Sequence, residues 1–385
     1  MAATVVKAAL LPVTALRYTA GEPLLSGALL YLLTRAPAQY REKVLAPFRN
    51  NILAKNGDIK LAQAVKLLKV LLALGVWGRI SQLLDRWARN YWYLRRPGAP
   101  WRFGDAQKSE LVVITGGSSG FGYEMVKSFA TKARVIALDI QDFPPELERL
   151  RDVHFYKCDV TDFEALINLC GEIRSAHGDP TVLINNAGIA NGKLVATTPA
   201  QAVDRLMKVN LTSHFLLIKE FLPGMLAAQK GHIVTIASMA SFVAAPGLLD
   251  YCVSKVGALY LNDGRLRAEL FTRHGIAGHS INTTSVHPSW HSTGITKAAE
   301  PQLAKHGIIP DPPTNVTDLI VEQVLSGRSG QIFVPKDQVR YKNIRSWPLW
   351  IQDVLAGYPW KRGDRESGFR FGDEDGLGQE GIKVD

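Results

Sequence analysis

Leu111-Val112-Val113-Ile114 runs directly into Thr115-Gly116-Gly117-Ser118-Ser119-Gly120-Phe121-Gly122, and a helical stretch follows from Tyr123 to Thr131. A short β-branched run is what a buried parallel strand presents. Glycines in the turn let the backbone approach a pyrophosphate, and the helix N-terminus that follows favours its charge. A glycine-rich turn alone is a weak signal, and its placement between strand and helix gives it weight. Thr115, Gly116, Ser118, Ser119, Gly120, Phe121 and Gly122 are therefore expected to cradle a dinucleotide.

The next strand supports this reading. Arg134-Val135-Ile136-Ala137-Leu138 ends at Asp139, 23 residues after Gly116. A carboxylate there accepts hydrogen bonds from adenosine ribose hydroxyls and repels a 2′-phosphate. Ser118, Ser119, Ile140 and Gln141 add no neutralising Arg or Lys. NAD(H) is favoured, without closing the site to NADP(H). Further strands are expected at Val153–Tyr156, Thr181–Ile184, His232–Ile236, Ile276–Thr283 and Ile332–Val334, alternating with helical stretches. Such alternation predicts an α/β fold, a Rossmann-type doubly wound parallel sheet.

The chain carries further motifs in order: Asp159-Val160, Asn185-Asn186-Ala187-Gly188, Asn210, Ser238, and Tyr251-Cys252-Val253-Ser254-Lys255, with Ser238 placed 13 residues before Tyr251. With the glycine-rich turn, this series over about 109–335 resembles the short-chain dehydrogenase/reductase superfamily. The resemblance implies that Asp159 and Val160 contact the adenine. It implies that Asn186, Ala187 and Gly188 line the cofactor and stiffen the sheet. Lys255 would hold the nicotinamide ribose, and Asn210 a water beside it. Val286-His287-Pro288-Ser289-Trp290-His291-Ser292-Thr293 resembles the family's Pro-Gly-x-x-x-Thr segment. Pro288 and Thr293 match, the latter toward the nicotinamide carboxamide, whereas Ser289 replaces the glycine.

The catalytic set also follows from chemistry. Taking a hydride from an alcohol requires removing the hydroxyl proton, and a tyrosine titrating near 10 is a poor base at neutral pH. Lys255 lies one helical turn beyond Tyr251, where its charge is expected to stabilise the phenolate. Ser238 is expected to bond the substrate oxygen. A lone Tyr-x-x-x-Lys is usually an exposed helix pair, and the accompanying set makes it a site. His287 and His291 lie in a prolyl loop without a matching carboxylate or cysteine set, so no metal site is expected. Cys158, Cys170 and Cys252 have no metal spacing and read as packed thiols.

The 385 residues are 46% hydrophobic and 21% charged, which excludes disorder and leaves room for one large domain plus an extension. The net charge of +10 is uneven: residues 1–108 hold 17 Lys and Arg against 5 Asp and Glu, and the rest is slightly acidic. A nucleic-acid binder needs a basic face on its folded domain, so none is expected here. Pro23–Thr34 and Val70–Gly78 are uncharged but shorter than the roughly 18–20 apolar residues of a bilayer span. Two helices are expected, around 59–78 and over 80–94. In the second, Ile80, Leu83, Leu84, Trp87, Tyr91 and Leu94 form a stripe among arginines. That pattern fits a helix lying in a membrane interface, the alternative being packing on the core or a second subunit. Pro97-Gly98-Ala99-Pro100 reads as a linker. The expected division is 1–108 as a basic-amphipathic helical extension, 109–335 as the dehydrogenase domain, and 336–385 as an aromatic, then Gly-rich tail.

The long basic-apolar N-terminus and Asp139 resemble the membrane- or lipid-droplet-associated branch of the superfamily, with its 17β-hydroxysteroid dehydrogenase type 11/13-like, epidermal retinol dehydrogenase-like and fungal members. That branch implies a cytosol-facing place on the endoplasmic reticulum or a lipid droplet, and a hydrophobic alcohol or ketone (retinoid, steroid or long-chain lipid) as substrate. A homodimer is left open. Residues 239–250 and 294–313 are expected to wall the substrate pocket. A second enzyme reading is an NADPH-dependent reductase of 3-ketosphinganine or acyl-dihydroxyacetone-phosphate type, which Asp139 opposes. A third is a catalytically silent lipid-surface binding protein, which the intact Ser238, Tyr251 and Lys255 oppose.

Overall fold

The computed structural model describes residues 22–49, 55–243, 247–297, 299–305 and 307–356. Tyr358, Trp360 and the Gly-rich tail lie outside the described residues, as do the first 21. Seven parallel strands form one sheet: β1 Leu111–Thr115, β2 Arg134–Asp139, β3 Val153–Lys157, β4 Val182–Asn185, β5 Gly231–Ile236, β6 Ile281–Pro288 and β7 Gly330–Val334. Their order is β3-β2-β1-β4-β5-β6-β7. The chain therefore reverses direction across the sheet between β1 and β4, and a crevice opens at the carboxyl ends of those strands.

The helices used below are α1 Pro23–Thr34, α2 Ala38–Arg49, α3 Gly57–Arg89, α4 Gly120–Ala130, α5 Phe163–His177, α6 Ala200–Met207, α7 Ser213–Ala227, α8 Leu249–Leu259 and α9 Thr314–Leu325. Alternation along β1 assigns them to faces. Val112 and Ile114 pack with Met125, Val126 and Phe129 of α4 and Val316, Ile320 and Val324 of α9. Leu111 and Val113 pack with Leu166 and Ile173 of α5 and Leu217 and Phe221 of α7. Both faces are covered, as a continuous β-branched strand requires.

One strand differs from expectation. Residues Gly275–His279 form a helical turn, and the strand expected at 276–283 runs over Ile281–Pro288. Its Asn, Thr, Ser and His residues are all buried, and they lie in a polar core. His232 Nε2 and Thr284 Oγ1 are 2.8 Å apart, and Asn262 Nδ2 donates to Thr235 Oγ1 at 2.8 Å and to the Thr284 carbonyl at 3.2 Å. Buried polar groups are tolerated where they are paired.

The chain divides into two compact units, with the N-terminal break between Ala88 and Arg89. In the first, Arg79 donates twice to the Glu22 carboxylate at 2.7 Å. The helices expected around 59–78 and over 80–94 run as one 33-residue helix, α3, which ends at Arg89 and leaves residues 90–94 outside it. An interior Gly78 costs only about 1 kcal/mol relative to Ala, too little to break it among good helix formers. Among the described residues no helix is long and apolar enough to cross a membrane. Leu67, Leu74, Trp77 and Leu83 of α3 are nonetheless more than half exposed.

The second unit begins at Arg89, ahead of the boundary expected near 108. Arg89 pairs with Asp263, and Asn90 Oδ1 accepts from the Ser329 amide at 3.0 Å. Tyr91, expected on the interfacial stripe, is buried instead, with its ring 5.9 Å from Phe271 and 5.0 Å from His279. The Pro97–Pro100 segment, expected as a linker, packs on the core through the Ala99 amide, which donates to the Gln229 carbonyl at 3.0 Å. Trp101 follows beneath the Arg96 guanidinium, 4.8 Å away.

Candidate active site

A cleft of about 1130 Å³ opens at the carboxyl ends of β1, β2, β4 and β5. Gly116, Ser119, Gly120, Phe121, Asp139, Asp159, Val160, Asn186, Ala187, Gly188, Ser238, Tyr251, Lys255, Pro288 and Thr293 all line it. Residues far apart in sequence are thus brought together around one cleft.

Four named residues sit behind the wall rather than in it. Thr115 Oγ1 accepts from the amides of Asn186 and Ala187 at 2.9 and 3.0 Å. Asn186 returns the contact, donating from Nδ2 to the Thr115 and Gly116 carbonyls at 2.9 and 3.1 Å. The glycine turn is thereby bolted to the end of β4. Gly116 has φ +67°, and a Cβ on Gly122 would stand 1.8 Å from the Gly116 carbonyl oxygen, so only glycine allows α4 to start so close to the turn. The Ser118 hydroxyl is buried without a partner. An orphaned donor in this turn, a glycine in the left-handed region and a helix N-terminus together fit the phosphates of a dinucleotide.

Asn210 lies in a π-turn over Lys208–Thr212, a widened turn frequent at functional sites. Its side chain accepts from the Ile189 amide at 2.8 Å and donates to the Ile189 carbonyl at 2.9 Å and to Ser254 Oγ at 3.0 Å. It ties the segment after β4 to α8, the helix that carries Tyr251 and Lys255.

At the adenosine end, Asp139 Oδ2 accepts from the Ser118 amide at 2.8 Å and Oδ1 from the Gln141 amide at 3.0 Å. Two backbone donors aim the carboxylate, and each oxygen keeps a second lone pair for a ribose hydroxyl. Asp159 is aimed by the Thr161 amide and hydroxyl at 2.9 and 2.8 Å.

At the other end, Lys255 is buried and its Nζ donates to the Ile236 carbonyl at 2.8 Å. Desolvation pushes its ammonium down to about 8. Burial also dominates Tyr251, pushing the phenol up to about 12, with the Ser238 hydroxyl opposing. The phenol is thus raised, where a lowering by Lys255 is expected from the sequence, and burial is the largest cause. Ser238 Oγ meanwhile accepts from the Ala240 amide at 3.1 Å.

The cleft's far wall differs from expectation. None of the described residues of 239–250 lines it, and Met239, Phe242 and Leu248 are buried instead. Gly294, Ile295 and Thr296 do contribute, together with Asn191, Lys193, Gln201 and Arg205. Asn191 Nδ2 donates to Asp250 Oδ2 at 2.5 Å and to the Ala202 carbonyl at 3.2 Å, joining α6 to the start of α8. Lys157 was also missed, although it stands two residues before Asp159 at the end of a strand. His287 stacks on Phe333 at 4.8 Å and approaches Ser285 Oγ at 3.0 Å, inside the core.

A parallel sheet with its glycine turn at the switch point, opening on Ser, Tyr and Lys, defines a dinucleotide-dependent α/β dehydrogenase. The chain belongs to the short chain dehydrogenase family, whose model matches residues 110–304, and this places it among the NAD(P)-dependent oxidoreductases. It is similar to Dehydrogenase RED2 of Cochliobolus heterostrophus, 37% identical over 179 residues that span 46% of this chain and 66% of that one. It is also similar to human Epidermal retinol dehydrogenase 2, 32% identical over 258 residues that span 65% and 82%. The fold matches the solved structure of a 4-hydroxyisoleucine dehydrogenase mutant complexed with NADH and succinate, at TM-score 0.53 and 22% identity over 58% of this chain and 96% of that one.

Proposed function

We propose that the chain transfers a hydride between NAD(H) and a hydrophobic primary or secondary alcohol or its carbonyl, of retinoid, steroid or long-chain lipid type, at a membrane or lipid-droplet surface facing the cytosol. The observation that carries the reaction is the shared cleft: Ser238, Tyr251 and Lys255 line the same space as the glycine turn and Asp139. NAD⁺, when bound, accepts the hydride. The chain's own residues manage the proton and the charge on oxygen. Ser238 donates a hydrogen bond to the substrate oxygen. Tyr251 Oη holds the proton to be given to a carbonyl oxygen, and the raised phenol keeps it there at neutral pH. In the oxidative direction Oη first releases its own proton to solvent, the Lys255 ammonium stabilises the resulting phenolate, and Oη then takes the alcohol proton while Ser238 keeps its bond to the substrate oxygen. Asn210 and Asn191 are positioning residues that fix α8 against the segment after β4.

Two observations support a hydrophobic substrate at a lipid surface. A relative aligned over most of its own length carries the name retinol dehydrogenase. The N-terminal region combines its basic excess with exposed Leu67, Leu74, Trp77 and Leu83 on α3, a pattern suited to a membrane interface. NADH absorbance during incubation with membranes and a panel of retinoids, steroids and fatty alcohols tests the reading. Turnover with one of these classes supports it, and inertness toward all of them with both cofactors contradicts it.

A further inference from the structure

The adenosine end of the cleft holds a cation that the spacing around Asp139 did not reveal. Lys157 ends β3 and is the parallel-register partner of Asp139 on β2. Both line the cleft, as do Ile140, Gln141 and Asp142. Lys157 Nζ donates to Asp142 Oδ1 at 2.6 Å. The Asp142 side chain is 92% exposed and that of Lys157 61% exposed. This is a solvent-screened pair that can open and close. The ammonium beside Asp142 also holds its carboxyl below the usual range.

The chemistry at this end is a choice between a free ribose 2′-hydroxyl and a 2′-phosphate. Asp139 favours the hydroxyl, and a cation within reach of the same ribose would favour the phosphate. We propose that Asp142 is a specificity-determining residue acting through Lys157: the ion pair holds the ammonium away from the ribose, and releasing it supplies the counter-charge for a 2′-phosphate. The inference rests on the NAD(H) reading and extends it. The preference against NADP(H) is then set by two carboxylates, one aimed at the ribose and one restraining a lysine.

Equilibrium binding tests this without turnover. NADH and NADPH are titrated by their fluorescence into the native full-length chain and into Asp142→Asn, Lys157→Gln and the double variant, and 2′,5′-ADP by calorimetry. NADPH and 2′,5′-ADP should bind Asp142→Asn roughly five- to tenfold more tightly than native, a gain that shrinks in high salt. NADH should change less than twofold, on the order of the scatter of a surface charge change. The double variant should return to native affinity. An unchanged NADPH affinity in Asp142→Asn overturns the proposal. A gain that survives in the double variant also overturns it, because simple relief of repulsion would then be sufficient. A native chain that binds neither cofactor overturns the dehydrogenase reading, and this inference with it. Native NADH binding combined with an unresponsive Asp142→Asn overturns the inference alone.

Discussion

Lys255 Nζ stands 5.5 Å from the centroid of the Tyr251 ring while donating to the Ile236 carbonyl at 2.8 Å. The lysine is thus tethered to β5 and presented to the phenol from one turn along α8. Holding an ammonium in that place opposes folding. Its folded pKa of about 8 lies below the ordinary lysine value. The penalty is fully present below about 8, where both folded and unfolded chains are protonated, and fades as pH rises toward about 10.5.

Lys255→Met should therefore stabilise the cofactor-free chain by roughly 2 kcal/mol at pH 7, after subtracting the lost hydrogen bond, while abolishing turnover. Urea melts at pH 7 and pH 10 check this. The stabilisation should shrink at the higher pH, and a variant less stable than native at pH 7 would show that the tether matters more than the desolvation.

Asp139→Ser combined with Ile140→Arg should move kcat/KM from NAD(H) toward NADP(H). The change removes the repelling carboxylate and adds a cation. Steady-state kinetics with both cofactors check it, and a native enzyme that already prefers NADPH would refute the ribose argument.

Tyr91→Ala should destabilise the second unit by about 3–5 kcal/mol, the usual cost of emptying a buried aromatic site. The ring stacks against Phe271 and His279, and the backbone around it is held by Asn90 and Arg328. A chain that begins near residue 105 should lose these contacts and fold poorly, whereas one beginning at Arg89 should fold. Thermal unfolding of the two truncations distinguishes them.

The full-length chain should sediment with anionic liposomes or lipid droplets, and the chain beginning at Arg89 should not. Each basic residue near an anionic surface contributes roughly 1 kcal/mol. Each large apolar side chain buried in the interface adds about 1.5–3 kcal/mol. High salt should release the full-length chain only in part, because the apolar share is not screened. A full-length chain that stays in the supernatant would favour packing of the extension on protein.

The parts of the fold legible in the sequence are those written as local motifs. The β1–turn–α4 unit and the Ser238, Tyr251 and Lys255 spacing belong to this kind, since a few adjacent residues carry the whole signal. The parts that escaped depend on distant partners. The β6 strand is displaced from its expected span because the polar Thr284 and Ser285 look like the start of a loop, and Asn262 and His232, which bond Thr284, and Ser329, which bonds Thr283, are distant in the chain. Tyr91 falls on an apolar stripe by spacing, and only Phe271 and His279 reveal it as core. Lys157 neighbours Asp139 across the sheet and not along the chain. The polar wall of Asn191, Lys193, Gln201 and Arg205 has no motif of its own.

The central claim is that the Tyr251 hydroxyl moves the proton in a hydride transfer. Its most direct test compares native enzyme with Tyr251→Phe on the best alcohol substrate, measuring kcat by NADH absorbance and cofactor affinity by NADH fluorescence. Loss of a positioned acid–base group typically costs about 10²–10⁴-fold in rate. The account predicts a fall of at least that order in kcat, with NADH affinity within about threefold of native. Tyr251→Phe turning over at the native rate would contradict it.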